Sequence, residues 1–311
     1  MPPAGQLPDM TMITENFLSA KNSRTRDIWV AALALVVFVG LASESAAQDL
    51  GPENIRQFLP RGDLYKQYIA DPLYRVAFGL QFVEMLDNGI PQTGSTRYIL
   101  QAGGRLGILR VYPDDRPELG WQFSIEGGLD SQYDRGSSDD NIGWNGKFGA
   151  YLTTARENGW SYKLAVLHNS SHLGDEYIQN TGATRIDYTR EEIALGVSKN
   201  FLSYYRVYGE TGWGFMAGNA EGEKPGRFET GFEIEYPEVV WNDFGWYSAA
   251  DLSSWQERDW RLNASFQTGL FLPMKERMYR FGIQIYKGRS TLGEFFKSDE
   301  SQISFGFWVD I

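Results

Sequence analysis

The chain has 311 residues, no cysteine, only two histidines, and 40 acidic against 29 basic residues for a formal charge of −11. That acidity excludes a nucleic-acid partner, because phosphate binding needs a concentrated basic surface, and the lack of cysteine excludes a disulfide framework. Aromatics make up 15% of residues and glycines number 34, yet the mean hydropathy is −0.38, a combination that predicts strands with two unlike faces.

Residues 28–41 form an uninterrupted apolar run of 14, shorter than the roughly 20 residues a membrane-spanning helix needs. Lys21, Arg24 and Arg26 precede it, and Ser45-Ala46-Ala47 follows with small residues at the −3 and −1 positions of a cleavage site. Residues 1–47 are therefore expected to be a signal peptide with an upstream extension, cleaved after Ala47; a translation start at Met10 or Met12 accounts for the extension. The mature chain, residues 48–311, loses three basic and four acidic residues with the leader and carries a formal charge of −10.

Residues 48–72 place Ile55, Phe58, Leu59, Leu64, Tyr65 and Tyr68 among charges. They read as a short periplasmic segment, either a helix or a stretch folded inward. From Leu73 the pattern turns to period-two alternation broken by turn residues. Twelve runs follow, at about 73–86, 95–112, 119–134, 144–157, 159–172, 185–199, 203–217, 226–237, 244–254, 260–273, 277–288 and 300–311. Each is near or above the roughly 9–11 residues a tilted strand needs to cross a bilayer.

The faces of these runs separate cleanly. In the eighth, Phe228, Phe232, Ile234 and Tyr236 oppose Glu229, Gly231, Glu233 and Glu235; in the eleventh, Tyr279, Phe281, Ile283 and Ile285 oppose Arg280, Gly282 and Gln284. A soluble sandwich also alternates, but the joints favour a barrel. Short connections at 113–118, 157–159, 200–203 and 273–276 alternate with long polar ones at 134–143, 173–184, 217–226 and 289–299, as short periplasmic turns alternate with long outer loops. The expected fold is all-β, an antiparallel transmembrane β-barrel of 12 strands over residues 73–311 in the bacterial outer membrane. Lys163, Arg206 and Arg280 share its predicted lumen with Glu192, Glu210, Glu229, Glu233 and Glu235, and must pair or meet water. Gly103-Gly104 and Gly127-Gly128 lie inside strands with no helix following, so they allow close packing rather than cradle a phosphate.

Both histidines fall in the fifth run and the loop after it, within His168-Asn169-Ser170-Ser171-His172. Trp160, Tyr162, Leu164 and Val166 form the apolar face of that run, and the same period carries His168 and Ser170 onto it. A histidine two residues from a serine on one strand face can serve as base and nucleophile, with Asp175, Glu176 or Asn180 as the orienting third group. His168, Ser170 and Glu176 are thus the candidate catalytic set, and His172, Asp175 and Tyr177 the candidate binding residues. A metal held by His168, His172, Asp175 and Glu176 requires the loop to fold back, because the two histidines lie roughly 13 Å apart on a strand. No metal or other cofactor is assigned. Asp139, Asp140 and Asn141 form a further polar cluster in an outer loop, read as solvated.

Three resemblances follow from these residues. The His-x-Ser spacing resembles the catalytic strand of outer-membrane phospholipase A and of the lipid A deacylases, whose catalytic groups face lipid; it implies Ser170 as nucleophile and His168 as base. Ser304-Phe305-Gly306-Phe307-Trp308-Val309-Asp310-Ile311 resembles the C-terminal insertion signal of outer-membrane proteins, although it ends in Ile where Phe or Trp is usual. Ser170-Ser171-His172-Leu173-Gly174-Asp175-Glu176-Tyr177, with Ala70-Asp71-Pro72, resembles the family labelled domain of unknown function 1207, which implies export and a barrel and implies no activity. The primary reading is a non-enzymatic envelope barrel (channel, receptor or structural element), and the alternative is a lipid-facing serine hydrolase acting on phospholipid or lipid A acyl esters. Outer-membrane lipid, including lipopolysaccharide, is the expected partner.

Overall fold

The computed structural model describes residues 54–217, 224–237, 243–274 and 277–310; the leader at 1–47, and part of the joint at 237–244, lie outside the described residues. Twelve antiparallel strands form the wall: β2 (Phe78–Asn88), β3 (Thr96–Pro113), β4 (Gly120–Asp134), β5 (Asp140–Ala155), β6 (Trp160–Leu173), β7 (Thr189–Phe201), β8 (Tyr205–Ala217), β9 (Gly226–Tyr236), β10 (Gly245–Trp255), β11 (Leu262–Met274), β12 (Arg277–Arg289) and β13 (Asp299–Asp310). Each pairs with its neighbours in sequence, and β13 closes on β2. Closure leaves no free edge, the condition for a sheet in lipid.

Three strand starts differ from the sequence reading by four residues or more, and one of them is the sixth run, expected from Arg185 but beginning at Thr189. The first run was expected from Leu73, but the wall begins at Phe78, because Leu73, Arg75 and Val76 stay buried inside the barrel. The fourth begins at Asp140 rather than 144, so Asp140 and Asn141 are strand residues: Asn180 donates to Asp140 at 2.8 Å, and Asn141 donates to Ser131 at 2.7 Å.

The N-terminal stretch is no helix. A further strand, β1 (Asn54–Phe58), pairs antiparallel with residues 109–113 of β3, beyond the end of the β2–β3 ladder. The chain then turns inward, threads the lumen over residues 59–77, and rejoins the wall as β2. Pro60 and Pro72, the glycine at Gly62 and the lack of any alternation give this plug no regular structure, so its backbone groups are satisfied by wall side chains instead. Ile69 N donates to Glu233 at 2.7 Å, Gln284 donates to the Ala70 carbonyl at 3.1 Å, and Arg206 donates to the Lys66 carbonyl at 2.7 Å. Tyr68 stacks on Tyr208 with ring centres 3.8 Å apart and donates to Glu210 at 2.7 Å.

The wall is the inverse of a soluble sandwich. Phe148, Trp213, Phe228, Phe305 and Ile283 are exposed on the outside, an apolar surface that water would not tolerate and a bilayer covers. The inside is charged and paired: Arg97 with Glu300 at 2.7 Å, Arg206 with Glu233 at 3.0 Å, Arg190 with Glu257 at 3.1 Å, Lys163 with Glu210, and Arg280 with Glu235 at 2.5 Å. A cavity of about 400 Å³ opens at the short-turn end, where Arg61, Asp63 and Lys66 of the plug face Arg105 and Arg280.

The paired glycines mark where the plug meets the wall. A Cβ on Gly103 would lie 2.4 Å from Val76 Cγ1 and 2.5 Å from the Gly127 carbonyl oxygen, and one on Gly128 would lie 2.6 Å from the same Val76 methyl. Gly103→Val is expected to displace the plug and cost about 1–3 kcal/mol through overpacking, read as a lower urea midpoint for the folded, heat-modifiable band. Gly209→Ala is the control, since its methyl would meet open space; an equal shift in both variants would sink the packing argument.

Candidate functional site

Strand register assembles a polar cluster on the outside of the barrel. Along β6, Trp160, Tyr162, Leu164, Val166, His168, Ser170 and His172 take the outward positions, and Lys163, Asn169 and Ser171 the inward ones. On one side β5 sets Phe148, Gly146 and Trp144 opposite His168, Ser170 and His172. On the other, β7 sets Glu191 opposite His168 and Thr189 opposite Ser170. Directly opposite residues on a sheet face have Cβ atoms close enough to interact.

The decisive contact is between His168 Nδ1 and Glu191 Oε1, 2.6 Å apart, with the imidazole 27% exposed and the carboxylate 10%. A carboxylate on Nδ1 fixes the tautomer in which Nδ1 carries the proton and leaves Nε2 as a free base. Ser170 sits beside this pair over Gly146, where an added Cβ would lie 3.1 Å from Ser170 Oγ and within 3.7 Å of Trp144 and Phe148. Gly146 thereby lets the hydroxyl of the buried Ser170 and two aromatic rings pack close over its backbone. No hydrogen bond joins Ser170 to His168 among the described residues. Catalytic contacts are commonly loose without substrate and tighten in the complex.

The other sequence candidates lie elsewhere. Glu176 and Asp175 are exposed on the first turn of α1 (Asp175–Thr181), where Asp175 pairs with Arg185 at 3.1 Å. Asn180 is tied to Asp140. The carboxylate that contacts His168 is that of Glu191, from the neighbouring strand, and not that of Glu176. His172 points outward, its ring 4.2 Å from that of Trp144. Tyr177 is buried in a cap over the long-loop end with Ile90, Ile142, Leu173 and Leu292. Its hydroxyl donates to the Pro91 carbonyl at 3.0 Å, and burial pushes its phenol above the ordinary tyrosine range.

Much of the Ser170-to-Tyr177 motif is thus architectural. Ser171 Oγ accepts from Glu294 N at 3.0 Å, and Gly174 is required because a Cβ there would lie 1.8 Å from the Asn141 carbonyl oxygen. Among the described residues His168, His172, Asp175 and Glu176 do not gather closely enough to share an ion, so the metal reading of this segment has no geometry to support it.

Glu191 was legible in principle. Ile193, Leu195 and Val197 occupy the outward positions of β7, and the same period puts a carboxylate among them at 191. An acid on an apolar strand face is costly there and calls for a partner.

A closed antiparallel barrel of twelve strands, apolar outside and packed with charge inside, defines an outer-membrane-type β-barrel protein. The chain belongs to the family described as protein of unknown function DUF1207, whose model matches residues 50–308. None of the curated proteins matches it in sequence. Among solved structures it is similar to outer membrane phospholipase A from Escherichia coli, with a TM-score of 0.51 and 13% identity over 79% of this chain and 95% of that one. The Salmonella typhi outer membrane phospholipase dimer with bound calcium is similar to the same degree, TM-score 0.51 and 11% identity over 79% and 95%. The KdgM porin gives a TM-score of 0.40 at 7% identity over 75% and 99%. The two phospholipase likenesses show the barrel fold.

Proposed function

We propose that this protein resides in the bacterial outer membrane after cleavage of its leader and hydrolyses acyl esters of membrane lipid on its outward face. The observation that carries this reading is the His168–Glu191 pair, set beside Ser170 among lipid-facing aromatics. Ser170 Oγ attacks the ester carbonyl while His168 Nε2 takes its proton, and the Glu191 carboxylate holds the ring and stabilises the imidazolium. The imidazolium returns that proton to the departing alcohol. Water, deprotonated by the same Nε2, then releases the fatty acid and frees Ser170. A substrate diffusing in the bilayer plane reaches these groups without entering the lumen. Phospholipid and lipid A acyl esters both fit that approach.

The test is fatty-acid release from phospholipid and from lipid A by detergent-purified protein. Ser170→Ala and His168→Ala are each expected to lower the rate by about 10³-fold or more while leaving the heat-modifiable fold intact. Full activity in Ser170→Ala, or none in folded wild type on either lipid, would overturn the proposal. The latter result favours the second reading, a non-enzymatic envelope barrel. That reading draws support from the plug and ion pairs that fill the lumen, and these weigh against an open channel.

A further inference from the structure

Inside the barrel, away from the outward serine, three carboxylates converge from three segments. Asp71 comes from the plug, Glu229 from β9 and Asp251 from β10, and all three are buried. One oxygen from each lies within 4.8 Å of the other two. Their remaining contacts are already allotted. Asp71 accepts the backbone N–H groups of Leu73 at 2.7 Å and Tyr74 at 3.0 Å; Asp251 accepts the Tyr208 hydroxyl at 2.7 Å; and Glu229 Oε2 accepts from Arg227.

The other Glu229 oxygen is the telling one. Glu229 Oε1 is fully buried, accepts no hydrogen bond, and belongs to a carboxylate that faces Asp251. A buried carboxylate oxygen with no donor, beside a second carboxylate, calls for a cation or a shared proton. Leaving such a group unsatisfied carries the full cost of its desolvation.

The charge balance points the same way. Asp71 and Asp251 take part in no salt bridge among the described residues, and the single guanidinium on Glu229, that of Arg227, is shared with Glu192 and Glu210. Lys147, whose charge acts on Asp71, is itself bound to Asp130. When all three carboxylates are ionised, their charge exceeds the shares of Arg227 and Lys147 that reach them, an excess that one divalent cation neutralises.

We propose that Asp71, Glu229 and Asp251 bind one hard divalent cation in the lumen, which fastens the plug to β9 and β10. Oxygens up to 4.8 Å apart can share an ion at the 2.3–2.6 Å reach of calcium. The all-oxygen donor set, with no histidine or thiol among the three, selects calcium or magnesium over softer metals. Calcium is favoured, because its ligand geometry is flexible while magnesium demands a near-ideal octahedron and sheds water reluctantly. The site also gives Asp71, the centre of the Ala70-Asp71-Pro72 motif, a task on top of its local turn: Pro72 and the two capped N–H groups hold its carboxylate inward. The ion is enclosed when the plug folds, so it enters during assembly.

The experiment is to refold the full mature chain into detergent with calcium or with chelator, desalt it, and count bound metal by elemental mass spectrometry. Terbium luminescence excited through tyrosine gives an independent readout, since the Tyr208 hydroxyl is bonded to a ligand carboxylate. About one ion per barrel is expected in wild type, with terbium emission that calcium competes away. Asp71→Asn, a plug residue outside the wall, is expected to keep the heat-modifiable barrel and weaken binding by about 10-fold or more. Asp251→Asn provides a second removal from the wall. Folded wild-type barrel that holds no metal and gives no terbium emission would overturn the proposal, as would equal binding by wild type and Asp71→Asn. An infrared band from a protonated carboxyl at neutral pH, lost in Asp71→Asn or Asp251→Asn and unmoved by calcium, would also overturn it by assigning the space to a proton.

Discussion

Replacing Arg227 with methionine is expected to destabilise the barrel by about 3–5 kcal/mol, because it removes one partner of a buried ion network and strands the others. The Arg227 side chain is wholly buried; its guanidinium lies 2.7 Å from Glu192 and in contact with Glu210 and Glu229, and it packs 4.7 Å from the Tyr74 ring of the plug. The loss falls unevenly. Glu192 keeps Arg190 at 2.8 Å and Glu210 keeps Lys163, but Glu229 has no other basic partner among the described residues. In chelator, with no ion on Glu229, adding Glu229→Gln to Arg227→Met is therefore expected to recover part of the loss, a coupling that a double-mutant cycle in urea isolates. An Arg227→Met barrel with the wild-type urea midpoint would show that the network is dispensable.

The wall of this barrel was legible because a two-faced strand must alternate: each run from 95–112 to 300–311 became a strand, and the fifth, eighth and eleventh show the expected outward face. Phe228 and Phe232 of β9 lie outside, and Glu229 and Glu233 inside, as their spacing requires. The plug was not legible to the same degree. Its contacts join residues 142, 164 and 235 positions apart, as in Tyr68–Glu210, Ile69–Glu233 and Arg75–Asp310, and no local period encodes a partner at that distance. Its residue types carried a weaker signal: tyrosines and an arginine beside apolar residues suit an interior that is itself charged.

The candidate site divides along the same line. His168 and Ser170 could be placed on the outward face from the alternation within β6 alone. Their third partner could not be found by looking along the loop, because it depends on the register between β6 and β7, which only the folded ladder sets. The loop acids answered a different requirement: α1 lies across the barrel end and needs exposed charge outward and Tyr177 inward. The Ser-Ser-His-Leu-Gly-Asp-Glu-Tyr segment thus joins two jobs, an outward polar strand end and an inward cap, and the proposed chemistry concerns only the first.

That division gives the sharpest functional test. Glu191→Gln is expected to lower lipid-ester hydrolysis by about 10²–10⁴-fold with little change in KM, because an amide in place of the carboxylate neither enforces the Nδ1–H tautomer nor stabilises the imidazolium. The substitution is nearly isosteric, and among the described residues Glu191 forms no ion pair with the lumen network, so the urea midpoint should stay within about 1 kcal/mol of wild type. Glu176→Gln and Asp175→Asn, both exposed on α1, are expected to stay within about twofold of wild-type activity. The reverse pattern, with activity lost in Glu176→Gln and kept in Glu191→Gln, would mean that the loop closes over Ser170 when substrate binds and supplies the third group itself. Loss in Glu191→Gln alone would fix the orienting residue on β7, and would tie the chemistry to a strand pairing that the membrane-facing wall keeps rigid before substrate arrives.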